Sequence, residues 1–133
     1  MLLVDAEQRR AVPIFIGGTE GHSIELRLTG GKPPRPLTHD LFDSALTELG
    51  ARVHSARVVK LEDGVYFGVL VLATQGRLSE LDSRASDAVA MALGAGAPIF
   101  LATRVLEQAG IPLDSLHDGG LREPTEEPPH IKL

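Results

Sequence analysis

The sequence predicts an α+β fold, a single domain of mixed sheet with about four helices, on three observations. β-branched segments flank an Asp63-Gly64 turn, apolar stripes at helical spacing end in glycine, and both kinds of segment alternate along one chain of 133 residues. That length suits one domain and buries a core without disulfides or a structural metal.

Leu2 to Val4 and Val12 to Gly17 are short β-leaning runs. The polar stretch Asp5 to Arg10 joins them as a hairpin. Thr19 to Thr29 is ambiguous, because Ile24, Leu26 and Leu28 alternate as in a strand while Ile24 and Leu28 also share a helical face; the local pattern leans to strand. Thr38 to Leu49 predicts a helix with Leu41, Ala45, Leu46 and Leu49 on its apolar stripe, Thr38 as its cap and Gly50 as its stop.

Arg52 to Leu61 and Val65 to Thr74 are predicted to pair antiparallel across Glu62-Asp63-Gly64, since Asp-Gly is favoured in tight hairpin turns. Ser86 to Leu93 predicts a helix ended by Gly94-Ala95-Gly96. Pro98 to Leu101 follows as a strand, and Arg104 to Ala109 as a short helix closed by Gly110. A shift of 65 residues superposes Leu28, Gly31, Pro33, Thr38 and Leu41 on Leu93, Gly96, Pro98, Thr103 and Leu106. In that register residues 19–29 copy the helix at 86–93, and the chain reads as two related β/α halves. A competing register matches Pro13-Ile14-Phe15 to Pro98-Ile99-Phe100, so duplication stays open.

Cysteine is absent, which excludes disulfides, thiolate catalysis and Cys-ligated zinc and agrees with a cytoplasmic location. No apolar run approaches the roughly 20 residues of a membrane span, and the start lacks the basic and apolar regions of a secretory signal. The net charge is −5, of which −3 falls on residues 112–133. Those residues carry four of the nine prolines and the pair Gly119-Gly120, a composition expected of a flexible acidic tail behind a domain of residues 1–111. The net charge argues mildly against a coat for nucleic acid, which relies on Lys and Arg to neutralise phosphate, and the nearly neutral body softens that argument.

Two polar helix starts carry the chemistry. Pro34-Arg35-Pro36-Leu37-Thr38-His39-Asp40-Leu41 holds a cation, an imidazole and a carboxylate in six residues, with proline fixing φ on either side of Arg35. Asp82-Ser83-Arg84-Ala85-Ser86-Asp87 precedes the second apolar helix. Their likeness suggests one composite site. Phosphate loops, dinucleotide fingerprints, nucleophile elbows and His-x-x-x-His spacing are all absent from the sequence.

In combination and order, several blocks of this chain resemble the bifunctional nuclease domain family. They are Val12 to Gly17 with Glu20, Pro34 to Leu41, Leu49-Gly50-Ala51, Asp63 to Phe67, Ser83 to Ala90, and Pro98-Ile99-Phe100 with Val105-Leu106 and Ala109-Gly110. The resemblance implies an α+β fold of two related β/α halves, a homodimer, and a nuclease acting on DNA, RNA or both with a divalent metal such as magnesium. The chain departs from the family pattern at Gly21, where alanine is favoured, at Ala85, where proline is usual, and at Gly94, where arginine is common. The last change removes a cation that phosphate would meet. By comparison the chain also starts one strand late.

On this reading His39, Asp40 and Asp87 are the catalytic candidates, with His39 moving a proton near its reference pKa of about 6.5. Glu20, Asp40 and Asp87 are the candidate metal ligands, and Arg35, Arg84 and Ser86 the candidate substrate contacts. Each has a structural reading too. Asp40 complements a helix dipole, Ser86 caps a helix, Glu20 marks a helix start, and the two arginines form salt bridges with Asp40, Asp82 and Asp87. Asp63 serves its turn. His22, near Glu20, is a further candidate for the site. The alternative function is a non-enzymatic dimeric module that binds a small anionic ligand or a protein partner. Four Phe, one Tyr and no Trp give few platforms for stacking bases, and this favours that alternative.

Overall fold

Leu2–Val4 (β1) and Arg10–Pro13 (β2) pair antiparallel, and the Asp5 carboxylate shapes their turn by accepting hydrogen bonds from Arg9 N at 2.8 Å and Arg10 N at 3.1 Å. The second strand ends at Pro13, short of the Gly17 that the sequence suggests. In the computed structural model, which describes residues 1–7 and 9–118, the next segment is a helix, Gly18–Thr29 (α1). This corrects the lean to strand. Ser23 and Ile24 are buried, and α1 packs on the later apolar helix, a contact that local alternation cannot reveal.

Thr38–Glu48 (α2) forms where expected, but its cap is Leu37, whose backbone N–H donates to Asp40 Oδ2 at 2.8 Å. Of its predicted stripe only Leu46 is buried. Leu41 and Leu49 stay 65% and 78% exposed, so this apolar face is left without a partner among the described residues. Ala51–Glu62 (β3) and Val65–Thr74 (β4) form the predicted hairpin, with Asp63 and Gly64 both at positive φ.

Arg77–Arg84 (β5) pairs antiparallel with β4 and runs without a loop into Ala85–Ala95 (α3). The expected loop at Asp82 to Arg84 is therefore a strand. Its mostly exposed, polar residues lack the alternation that betrays a half-buried strand. Arg84, not Ser86, is the capping residue of α3. Ile99–Leu101 (β6) joins β3 in parallel and Thr103–Ala109 (α4) follows, while Ile111–Pro112 (β7) pairs with β2 and Asp114–Asp118 (α5) is the fifth helix. Leu113 N also donates to Arg9 O at 2.8 Å, so the start of the segment assigned to the tail is tied to the sheet. The rest of that segment, from residue 119, lies outside the described residues.

The result is α+β, with sheets ordered β1-β2-β7 and β5-β4-β3-β6. Helices α2 and α4 begin at Thr38 and Thr103, which the 65-residue register pairs, but β6 has no counterpart strand between α1 and α2. One core cluster joins Leu46, Ala56, Leu70, Leu72 and Met91, and a second joins Val12, Ile14, Val58, Ala85 and Val105. Alanines line α3 and let it lie close on β3 and β4. At Gly68 the approach is closest. A Cβ there would stand 2.9 Å from both Ala85 Cα and the Arg84 carbonyl oxygen, so this glycine lets the strand seat the junction that carries Arg84. Among the described residues no helix is long and apolar enough to cross a membrane.

Candidate functional site

Three element starts converge. The first turns of α1 present Glu20 and Ser23, the start of α2 presents His39, and the β5–α3 junction presents Arg84 and Asp87. Ser23 Oγ lies 2.7 Å from His39 Nδ1, and His39 Nε2 lies 2.9 Å from Asp87 Oδ1. Arg84 grips Asp87 with two nitrogens, Nε to Oδ2 at 2.8 Å and Nη2 to Oδ1 at 3.1 Å, and reaches Glu20 Oε1 through Nη1 at 3.2 Å.

Hydrogen-bond capacity places a proton on His39 Nε2. Burial pushes the Asp87 carboxyl up, but hydrogen bonds from Arg84 and His39 outweigh it and hold the group below the usual carboxylate range. An ionised carboxylate only accepts, so His39 Nε2–H donates to Asp87. With Nε2–H on Asp87, Nδ1 accepts from the Ser23 hydroxyl in the neutral ring and donates to Ser23 Oγ in the imidazolium. Glu20 is also held low, first by its own backbone N–H and then by Arg84, whose guanidinium the two carboxylates lock in the charged form. At neutral pH two carboxylates thus outnumber one guanidinium.

Arg84 is 65% exposed at the rim of a groove of about 430 Å³, with Thr19, Ser23, Leu37 and His39 along its walls. His22 also lines it. Beyond His39 and Asp87 lies a second hollow of about 360 Å³ walled by Phe42, Leu70, Leu81 and Met91. Ser86 is buried and lines an adjoining hollow, which shares Glu20 and Arg84 and is walled by Phe15 and Tyr66.

Asp40 points elsewhere. Successive helical residues diverge by about 100°, so the carboxylate beside His39 meets Leu37 N and, through Oδ1, Arg27 Nη1 at 3.1 Å. Arg27 also bonds Asp43 and donates from Nε to the Ala90 carbonyl at 2.6 Å. Arg35 is exposed and forms no ion pair among the described residues. The structure thus brings together Glu20, His39, Arg84 and Asp87, leaves Ser86 in an adjoining hollow that shares Glu20 and Arg84, and does not bring in Arg35 or Asp40.

Nor do the expected metal ligands assemble. Asp40 is committed to Arg27, and the Arg84 guanidinium bridges Glu20 and Asp87 where a cation would need their oxygens. Among the described residues no group of three or more His, Asp or Glu side chains is arranged to hold a metal ion. The donor set therefore does not fit a resident metal.

Ser23 is the residue of the candidate site that sequence reasoning missed. Once residues 18–29 are helical, Glu20, Ser23 and Arg27 share one face at spacings of three and four, a polar stripe running beside buried Ile24. Of the departures noted in the sequence, Ala85 is the first residue of α3, a position that suits proline and alanine alike. The space over Gly94 holds the Arg27 guanidinium.

The sequence profile of the bifunctional nuclease domain matches residues 1–114. Uncharacterized proteins from two strains of Mycobacterium tuberculosis are each 40% identical over 111 residues, covering 84% of this chain and 66% of their own length. The chain thus spans about two thirds of the length of the curated relatives it matches.

Proposed function

The chain belongs to the bifunctional nuclease domain family, and on that premise we propose that it hydrolyses phosphodiester bonds in DNA, RNA or both. The observation that carries this reading is the hydrogen-bonded series Ser23–His39–Asp87 facing a groove with Arg84 at its rim. His39 exchanges a proton at Nδ1, the nitrogen 2.7 Å from Ser23 Oγ. Asp87 fixes the tautomer and stabilises the imidazolium that forms. Arg84 meets the phosphate by leaving Glu20, its longest contact, while keeping its two bonds to Asp87.

Purified protein incubated with single- and double-stranded DNA and RNA tests this, in magnesium and in chelator. His39→Ala and Asp87→Asn are each expected to lower cleavage by about 100-fold or more. Cleavage equal to wild type in both variants assigns it to a contaminant. No step is routed through a metal, and the chelator arm decides whether one is needed.

A cytoplasmic homodimer completes the proposal. The Leu41, Ala45 and Leu49 stripe of α2 is exposed, as an apolar face kept for a second copy would be. The mutual pairing of Arg84 with Glu20 and Asp87 also favours a second reading, a non-enzymatic module for a small anionic ligand or protein partner. Thermal stabilisation by such a ligand without turnover supports it.

A further inference from the structure

We propose that Ser23 is the nucleophile of this site, so that phosphodiester cleavage passes through a phosphoseryl enzyme. This rests on the phosphodiesterase reading and extends it by a covalent step. Two other serine and threonine hydroxyls on these helices show what a helical hydroxyl ordinarily does. Thr29 Oγ1 donates to the Glu25 carbonyl at 2.9 Å and Ser44 Oγ to the Asp40 carbonyl at 3.1 Å, each four residues back in its own helix. Ser23 instead reaches across to another helix, where its Oγ lies 2.7 Å from Nδ1 of an imidazole whose far nitrogen is held by a carboxylate.

The order carboxylate, imidazole, hydroxyl is the arrangement that activates a weak oxygen nucleophile. Ser23 is only 6% exposed, yet it lines the groove of about 430 Å³ together with His39 and Arg84. Arg84, on the same groove, supplies positive charge to the phosphoryl oxygens.

The step balances without oxidant or reductant. Ser23 Oγ bonds to phosphorus as its proton passes to His39 Nδ1. The bond from phosphorus to the departing nucleoside oxygen breaks, and that oxygen takes the proton from Nδ1. Water then attacks the phosphoserine, gives a proton to Nδ1, and the Oγ–phosphorus bond breaks as Oγ recovers it.

The test uses an organophosphorus fluoride, which phosphorylates an activated serine with loss of fluoride, on the full chain. Peptide mass spectrometry is expected to place the adduct on Ser23, with labelling slowed about 100-fold or more in His39→Ala. Ser23→Ala is expected to lose nucleic-acid cleavage to the level of His39→Ala. No adduct on wild-type Ser23, or Ser23→Ala that cleaves as wild type, overturns the nucleophile while leaving the nuclease reading in place. An adduct on Ser23 in a protein that cleaves neither DNA nor RNA upholds the activated serine and removes the nuclease reading instead.

Discussion

Two arginine–carboxylate groups stand on either side of the start of α2, built from the same chemistry and placed differently. Around Arg27, two carboxylates and a backbone carbonyl close on a guanidinium only 7% exposed. Around Arg84, two carboxylates close on a guanidinium 65% exposed and shared with a groove. His39 and Asp40 are neighbours in sequence, yet each belongs to a different group. A buried guanidinium with every partner in the protein ties three helices together. An exposed one keeps solvent-facing nitrogen for a ligand, and its own ion pairs add little to stability.

Removing each arginine should therefore separate fold from function. Arg27→Ala leaves Asp40 and Asp43 facing a gap and frees the Ala90 carbonyl, so it is expected to cost about 3 kcal/mol in chemical denaturation. Arg84→Ala should change stability by a small fraction of that while lowering cleavage, because its loss is felt by the phosphate. Equal destabilisation by the two would erase the distinction.

Gly94 probes the buried group from its other side. Its Cβ would fall on the Arg27 guanidinium, 2.6 Å from Nε, and the partners of Arg27 leave that side chain little room to yield. Gly94→Ala is expected to cost about 2 kcal/mol by overpacking. In Arg27→Ala the same substitution should cost much less, since the group it strikes is gone; a double-mutant cycle measures the coupling. Additive costs would place the strain elsewhere.

Much of the fold was legible because local chemistry and tertiary context agreed. Asp63-Gly64 supplies two residues that tolerate positive φ, so the β3–β4 hairpin follows from the sequence alone. Where only context decides, the reading failed. Ile24 and Leu28 satisfy both periods until α3 packs on α1, and β5 owes its strand to pairing with β4 rather than to its own polar residues. Leu41 and Leu49 read as core because periodicity shows that a stripe exists, not what it faces. In the site, His39, Arg84, Asp87 and Glu20 were visible as charge at helix starts. Ser23 was hidden inside a helix read as strand, and the divergence of Asp40 from His39 gains meaning only when Arg27 arrives from α1.

The smallest expected effect concerns the exposed group and depends on pH. Asp87 carries a folded pKa below its unfolded value of about 3.9, so the stability it contributes is fully present above that value and is lost as pH falls through the folded one. Asparagine cannot ionise and lacks that contribution at every pH. Asp87→Asn should thus be less stable than wild type by about 1 kcal/mol at pH 7, and the difference should shrink in denaturation curves taken below about pH 4. A constant difference down to pH 3 would mean that the shape of the side chain, rather than its charge on Arg84 and His39, holds the junction between β5 and α3.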